Sequence, residues 1–349
     1  MTSTSPLRLG ILGCANIAKQ FVRDVSNSPS VSVVAVASRV LEKAQAFASQ
    51  FDIACAYGSY ETLLDDPQID AVYIPLPNHL HATWAIRATE AGKHVLCEKP
   101  LTLSLSEARS MFNAAQQHGV MLLEAYPWYF QPQTRNLLSL LHSGAIGDVR
   151  SVQACFGFTL PAGTDNIRWQ PEAGGGALLD AGSYPLSLIR LVMGQAPTHV
   201  LADARWSDTG VDVAMTGLMK WSDGRQATLS CAMDVANHRR AVIAGTLGTI
   251  ETEYLNHTSP SKQAHPYGYL PSSMRIRRGT ANTIAFEEVN SYTGSGFRFA
   301  AEAFAKVVKA GDFEAIERAA QASMDISAML EAMKDSARSN AWVKVTRPK

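Results

Sequence analysis

The chain has 349 residues, 46% hydrophobic and 18% charged, which excludes a disordered polymer and leaves room for two packed domains. Its 31 lysines and arginines balance 31 aspartates and glutamates, so no global field would gather nucleic acid or an anionic membrane surface. No long apolar run reads as a membrane span, and MTSTSPLRLGILG does not read as a secretion signal. With five widely spaced cysteines and no CxxC pair, reduced thiols and a cytoplasmic location are expected, without a metal site.

Up to about residue 126, short β-branched runs alternate with amphipathic stretches. The runs predict strands over 7–12, 31–37, 54–57, 71–76, 94–97 and 120–123. Between them, Ile17, Phe21 and Val25 share one helical face, as do Ala44, Phe47, Ala48 and Phe51. Ser104 and Glu107 read as a capping box that opens a further helix, and Gly119 as its stop. Six strands with helical crossovers predict an α/β fold, a doubly wound parallel sheet of Rossmann type over residues 1–126.

The first strand runs into Gly13-Cys14-Ala15-Asn16-Ile17-Ala18, a GxGxxG-type turn with alanine at its second and third positions. Such a turn brings backbone close to a pyrophosphate at a helix amino terminus, so Gly13, Ala15, Asn16 and Ile17 are candidate nucleotide contacts. The bland reading is a small-residue turn needed only for packing. The second strand ends in Ala37-Ser38-Arg39, without the carboxylate that would accept from an adenosine ribose. A hydroxyl and a guanidinium suit a 2′-phosphate, so Ser38 and Arg39, with Lys43 a turn later, predict NADP(H) rather than NAD(H). A solvated surface arginine is the competing account of Arg39.

After Tyr126 the rhythm changes to longer alternating runs over 149–158, 211–221, 225–233 and 241–254, without helices between neighbours. Residues 127–349 are therefore expected to form an α+β domain with an open, mainly antiparallel sheet. Helical patterns return at 297–310 and about 316–338, and the proline-, glycine- and serine-containing stretch 257–273 reads as a long loop, either a substrate lid or an inert excursion.

Ligands of a doubly wound sheet sit beyond the carboxyl ends of its strands, where Glu98, Lys99 and Pro100 fall. In GGGALLDAGSYPLSLIRLVMG, residues 174–194, Asp180 and Tyr184 are four apart and share a face if a helix begins near Asp180. Pro185 fits only within its first turn. With GILGCANIA, IPLPNHLH, the EAY and PQ of residues 124–133, and GAIGDVRSV, these segments make nearly the whole chain resemble the Gfo/Idh/MocA oxidoreductases. That resemblance implies an NAD(P)-dependent enzyme acting on a sugar-like alcohol or carbonyl, with Lys99 beside the nicotinamide, Asp180 and Tyr184 beside the substrate, and a cis Lys99–Pro100 bond. It further implies that Pro77, Asn78, His79, His81 and Glu98 border the cofactor, and that Tyr126 and Arg168 lie toward substrate; Trp128 or Tyr129 could stack on a pyranose or a base, and core packing explains such an aromatic equally well. Where dehydrogenases of this group read like EAFMYRFHPQ, Tyr129 and Gln131 replace an arginine and a histidine. FTLPAGTDNIRWQ is similar instead to reductases of nucleotide-linked ketosugars.

The expected chemistry is hydride transfer between a nicotinamide and a sugar or cyclic polyol, by an aldose dehydrogenase or a ketosugar reductase. Tyr184 would carry the proton, its pKa lowered from about 10 by the Lys99 cation. The competing class is a non-catalytic NADP(H)-binding redox sensor, which would need neither Lys99 nor Tyr184. The resemblance also suggests a homodimer or homotetramer formed through the open sheet.

Overall fold

The computed structural model describes residues 5–163, 165–253, 273–292 and 294–346. In chain order its first elements are β1 (Leu7–Leu12), α1 (Asn16–Val25), β2 (Val31–Ala37), α2 (Leu41–Phe51), β3 (Cys55–Tyr57), α3 (Tyr60–Leu64), β4 (Ala71–Ile74), α4 (His81–Glu90), β5 (His94–Glu98), α5 (Leu105–Gln117) and β6 (Leu122–Ala125). There follow α6 (Pro132–His142), β7 (Val149–Thr159), α7 (Ser183–Met193), β8 (His199–Trp206), β9 (Asp212–Lys220), β10 (Gln226–Ala232), β11 (Asp234–Gly245), β12 (Gly248–Thr252), β13 (Met274–Arg278) and β14 (Glu287–Glu288). Helices α8 (Gly296–Ala310) and α9 (Phe313–Ser339) and strand β15 (Val343–Lys344) close the chain. Most of the stretch read as a lid or loop, 257–273, lies outside the described residues.

The chain forms two compact units. The first holds a six-stranded parallel sheet in the order β3-β2-β1-β4-β5-β6, which reverses direction of growth between β1 and β4 and so matches the doubly wound expectation. Its inner strand β4 is buried on both faces, as the continuous apolar run Ala71–Ile74 requires. The unit comprises residues up to Thr102, 106–130 and 294–323, so a single cut after Tyr126 does not describe it. Helix α8 returns because its apolar stripe completes this core: Phe297 and Phe304 are 2% and 1% exposed, and the Phe297 ring meets that of Phe21 edge-on at 5.9 Å. Gly296 lets the helix start against Pro127, where a Cβ would stand 2.8 Å from the Pro127 carbonyl oxygen.

The second unit is built on a nine-stranded sheet ordered β14-β13-β12-β11-β7-β10-β9-β8-β15. All its pairs are antiparallel except β7 with β10. One face carries α7 and a buried core. Alternation along β9 shows the other face open, with Met215, Gly217 and Met219 buried and Thr216, Leu218 and Lys220 exposed. The run 241–254, read as one strand, is two: a turn at Thr246 and Leu247 folds β12 back onto β11. Apolar alternation continues through that turn, which hides it from a periodicity argument. Among the described residues, no helix is long and apolar enough to cross a membrane.

Phe297→Ala should cost the first unit about 3–5 kcal/mol, the usual loss for a phenylalanine emptied from a packed core. Urea unfolding followed by tryptophan fluorescence measures it; a midpoint equal to wild type would mean that α8 adds nothing to this core.

Candidate active site

In the first unit, β1 passes into α1 through Gly13 at φ +106°, where a Cβ would stand 2.9 Å from the Leu76 side chain. Ala15 caps α1 in an extended conformation and has no side-chain oxygen to occupy the helix's first N–H groups. Asn16 is exposed beside it, while the Ile17 side chain packs against the core. Thus Ile17 can offer its backbone to a nucleotide, and its side chain serves packing.

The end of β2 adjoins this turn. Cys14 Sγ lies 3.7 Å from the Lys43 carbonyl oxygen, and burial raises the thiol's pKa against the opposing effects of Ser38, Lys19 and Lys43. Ser38 is buried, and its Oγ accepts from the Val40 N–H at 3.3 Å. Arg39 and Lys43 are exposed. Arg39 faces the Tyr60 hydroxyl, whose pKa burial raises and Arg39 lowers. A hydroxyl and two cations at this corner, with no carboxylate at the strand end, fit a phosphate on the adenosine ribose. The residues present therefore suit NADP(H), with Gly13, Ala15 and Asn16 on the pyrophosphate side and Ser38, Arg39 and Lys43 on the ribose side.

Beyond β4, Pro77 and Asn78 are partly exposed in a turn of 3₁₀ helix, and His79 is exposed. His81 is a correction. Its ring is fully buried, with Nδ1 2.9 Å from the Pro100 carbonyl oxygen and Nε2 2.8 Å from that of Leu76. Both nitrogens are occupied by backbone, so the ring is not offered to a cofactor. At the end of β5, Tyr73 Oη donates to Glu98 Oε1 at 2.6 Å, and the Lys99 N–H donates to Glu98 Oε2 at 3.2 Å. Lys99 is half-buried and precedes a cis peptide bond to Pro100.

Tyr126 and Trp128 are buried, as is Tyr184 at 4% exposed. The first two are 3% and 1% exposed, belonging to the segment against which α8 packs, and Trp128 is one of the largest fully buried side chains. Tyr129, beside it at 4.9 Å between ring centroids, is partly exposed. Burial of an amphipathic aromatic is not visible in its identity.

The second unit assembles its own group at the start of α7. Residues Leu178–Gly182 form a π-helical turn that leads into the helix, so Asp180 lies in the turn and Tyr184 in the first helical residues. Arg168 Nε donates to Asp180 Oδ2 at 2.5 Å and Nη2 to Oδ1 at 3.3 Å, a two-point pair that also lies near Tyr184. The Arg168 guanidinium sits 5.9 Å from the Phe158 ring centroid, and Tyr184 meets Phe156 edge-on at 5.3 Å. Arg239 lies over Phe156 at 5.7 Å. The structure thus places Arg168, Asp180 and Tyr184 together, and adds Phe156, Phe158 and Arg239.

Asp212 carries no signal in the sequence yet fixes this turn. Its buried Oδ2 accepts from the Leu178 N–H at 2.6 Å, and its Oδ1 lies where a Cβ on Gly176 would intrude at 2.2 Å. Gly175 is constrained in the same way, since a Cβ there would stand 2.5 Å from the Arg168 carbonyl oxygen. These two contacts, with Gly174 at φ +77°, account for the glycine run. At the other end of α7, Arg190 pairs with buried Asp325 at 2.9 Å.

This is the architecture of a two-unit, dinucleotide-dependent oxidoreductase. Residues 7–126 match the description "Oxidoreductase family, NAD-binding Rossmann fold", and residues 134–251 match the "GFO/IDH/MocA C-terminal domain". D-xylose 1-dehydrogenase (NADP(+)) 2 of Haloferax volcanii is 36% identical over 97% of this chain and 100% of its own length. The trans-1,2-dihydrobenzene-1,2-diol dehydrogenase of Danio rerio is 34% identical over 97% of each chain. KijD10, a 3-ketoreductase from Actinomadura kijaniata solved with NADP and TDP-benzene, superposes with a TM-score of 0.83 at 31% identity, over 95% of this chain and 98% of that one. The chain belongs to the Gfo/Idh/MocA oxidoreductase family.

Burial pushes the Asp212 carboxyl up from 3.8 to about 6, despite the N–H groups that stabilise its charge. A raised folded-state pKa gives stability that is full below about pH 4 and is lost as pH rises through about 6. Asp212→Asn keeps a carbonyl oxygen for Leu178 and removes the titration. Its stability profile between these limits should be flatter than wild type by about 2–3 kcal/mol in pH-dependent urea unfolding. An unchanged slope would remove Asp212 from this account.

Proposed function

We propose that the protein is an NADP(H)-dependent oxidoreductase that transfers a hydride between nicotinamide and a sugar or cyclic polyol, as an aldose dehydrogenase or a ketosugar reductase. The observation that carries this reading is the Arg168–Asp180–Tyr184 group: a hydroxyl able to move a proton, beside a fixed ion pair and an aromatic wall. The dehydrogenase and ketoreductase relatives support the substrate class, and the Ser38–Arg39 corner supports the 2′-phosphorylated cofactor.

Bound NADP(H) supplies the hydride donor or acceptor. In oxidation, Tyr184 takes the proton of the substrate hydroxyl as its carbon loses hydride; in reduction it gives that proton to the carbonyl oxygen. Lys99 is assigned as the lysine of the reaction, a cation of the kind that favours a phenolate over a phenol. Asp180, held by Arg168, keeps one orientation and can accept from neighbouring substrate hydroxyls. Glu98, Pro77 and Asn78 are assigned to the cofactor's ribose and nicotinamide side. A redox sensor would require neither proton carrier nor lysine, and no observation favours it.

We also assign a homo-oligomer to the open face of the nine-stranded sheet, where Leu218 is 45% exposed in mid-strand. A cytoplasmic setting agrees with five free cysteines.

Purified protein with NADP⁺ and free aldoses, including xylose and glucose, should form NADPH, followed by absorbance. Lys99→Ala and Tyr184→Phe should each lower kcat at least a hundredfold while NADP⁺ still binds. NADPH formation unchanged in Tyr184→Phe would sink the proton role. Silence of the wild type toward aldoses, with activity toward an activated ketosugar, would select the reductase form.

Arg39→Ala should raise KM for NADP⁺ about tenfold or more and leave KM for NAD⁺ nearly unchanged, as expected for loss of a charge-assisted contact to phosphate. Equal effects on both cofactors in steady-state kinetics would contradict recognition of the 2′-phosphate.

A further inference from the structure

Three backbone groups around Lys99 and Pro100 each meet a buried side chain. The Lys99 N–H donates to Glu98 Oε2 at 3.2 Å, the Pro100 carbonyl oxygen lies 2.9 Å from His81 Nδ1, and the Leu101 N–H donates to Glu124 Oε1 at 2.9 Å. Glu98, His81 and Glu124 are 7%, 0% and 5% exposed.

These three side chains are themselves held. Tyr73 donates to Glu98 and stacks on Phe21 at 3.9 Å between centroids. His81 reaches back through Nε2 to the Leu76 carbonyl oxygen, tying the segment after β4 to the segment after β5. Glu124 lies on β6, in register with Cys97 of β5. None of this is needed for an ordinary turn, which could satisfy its amides with water. Two carboxylates in adjacent buried strands carry a desolvation cost, and their charges oppose one another. Such an arrangement is intelligible where a backbone must be held in one place.

We propose that Glu124 and His81 are positioning residues for Lys99, fixing the backbone immediately after the lysine so that its ammonium keeps one location at the end of β5. This rests on the reading of Lys99 as the lysine of the reaction. Neither residue touches substrate in this account. Glu124 acts through the Leu101 N–H. His81 acts by setting its ring between the Leu76 and Pro100 carbonyl oxygens, one after β4 and one after β5, with the single N–H of the neutral ring donating to one of them.

The variants that separate positioning from bulk stability are Glu124→Ala, which removes the acceptor for Leu101, and Glu124→Gln, which keeps an acceptor oxygen in the same place. His81→Gln is the companion, since it removes the rigid ring that lies between the Leu76 and Pro100 carbonyls. In NADP⁺-dependent turnover, Glu124→Ala and His81→Gln should lower kcat about tenfold or more, with both KM values within about threefold of wild type. Glu124→Gln should recover to within about threefold of the wild-type kcat.

A second readout needs no activity. Trace acetylation with acetic anhydride, quantified by mass spectrometry, compares Lys99 with exposed Lys306. The Lys99-to-Lys306 rate ratio should rise at least threefold in Glu124→Ala and His81→Gln and stay near wild type in Glu124→Gln. An unchanged ratio in both disruptive variants, whatever their thermal midpoints, overturns the proposal. So does a ratio that rises equally in Glu124→Gln. If the wild type turns over no sugar, the functional reading fails, and the acetylation ratio still decides whether the clamp positions Lys99.

Discussion

The hydrogen bond from the Leu178 N–H to the buried Asp212 carboxylate is the contact from which the second unit's chemistry is arranged. Because the carboxylate reaches the backbone there, no Cβ can stand at residue 176, and the chain must cross that point as glycine. The preceding residues can then tuck under the Arg168 carbonyl, with the Gly176 N–H donating to it at 3.0 Å. That same approach leaves the Arg168 side chain within reach of Asp180. The π-helical turn spaces Asp180 from the first residues of α7, and Tyr184 follows on a helix whose far end is secured by the Arg190–Asp325 pair. A single buried acceptor thus settles a turn, a glycine run and an ion pair, and with them the place of a tyrosine.

The first unit meets a similar requirement with a different element. Its buried acceptor is Glu124, on the strand beside β5, and the amide it takes is Leu101, two residues beyond Lys99. In both units a carboxylate accepts a backbone N–H next to a residue that sequence reasoning marks as reactive. A side-chain hydroxyl could accept the same proton at smaller desolvation cost, but a charged acceptor makes a shorter, stronger and more directional bond. The cost is visible in the elevated pKa of each group, about 6 for Asp212 and about 7 for Glu124. Groups so unfavourably placed add little to stability near neutral pH, so geometry is the better account of their presence.

Most of the first unit is legible in the sequence because its signals are local. Leu7–Leu12 and Val31–Ala37 are strands with the predicted bounds, since apolar β-branched runs flanked by turn residues have few other uses in an alternating pattern. Gly13 and the Ser38–Arg39 corner follow from position alone. The departures have long-range causes. His81 reads as a polar residue near a ligand, but its partners, Leu76 and Pro100, are carbonyls that no residue pattern announces. For Trp128 stacking on a sugar and core packing are equal readings of the sequence; it is buried in the segment packed by α8, a helix about 170 residues later in the chain. Asp212 sits at a strand start with nothing nearby in sequence to suggest that it caps a turn 34 residues earlier.

The aromatic wall beside Tyr184 shows how such long-range features could tune specificity within a shared fold. Along β11 the register with β7 slips between Asp234 and His238, so that His238 pairs with Gly157 and Arg239 with Phe156. Unbroken pairing from Asp234 with Thr159 would instead place Asn237 opposite Phe156. The slip of two residues preserves which face each side chain occupies, and replaces an amide by a guanidinium over the aromatic ring. Gly157 permits it, because a Cβ there would stand 2.4 Å from both Val235 and His238. A bulge of this kind alters the side chain presented over Phe156, the ring that meets Tyr184 edge-on, and leaves the strand pairing on either side of it in place. The guanidinium over Phe156 can therefore be exchanged with no change in the elements that hold Tyr184.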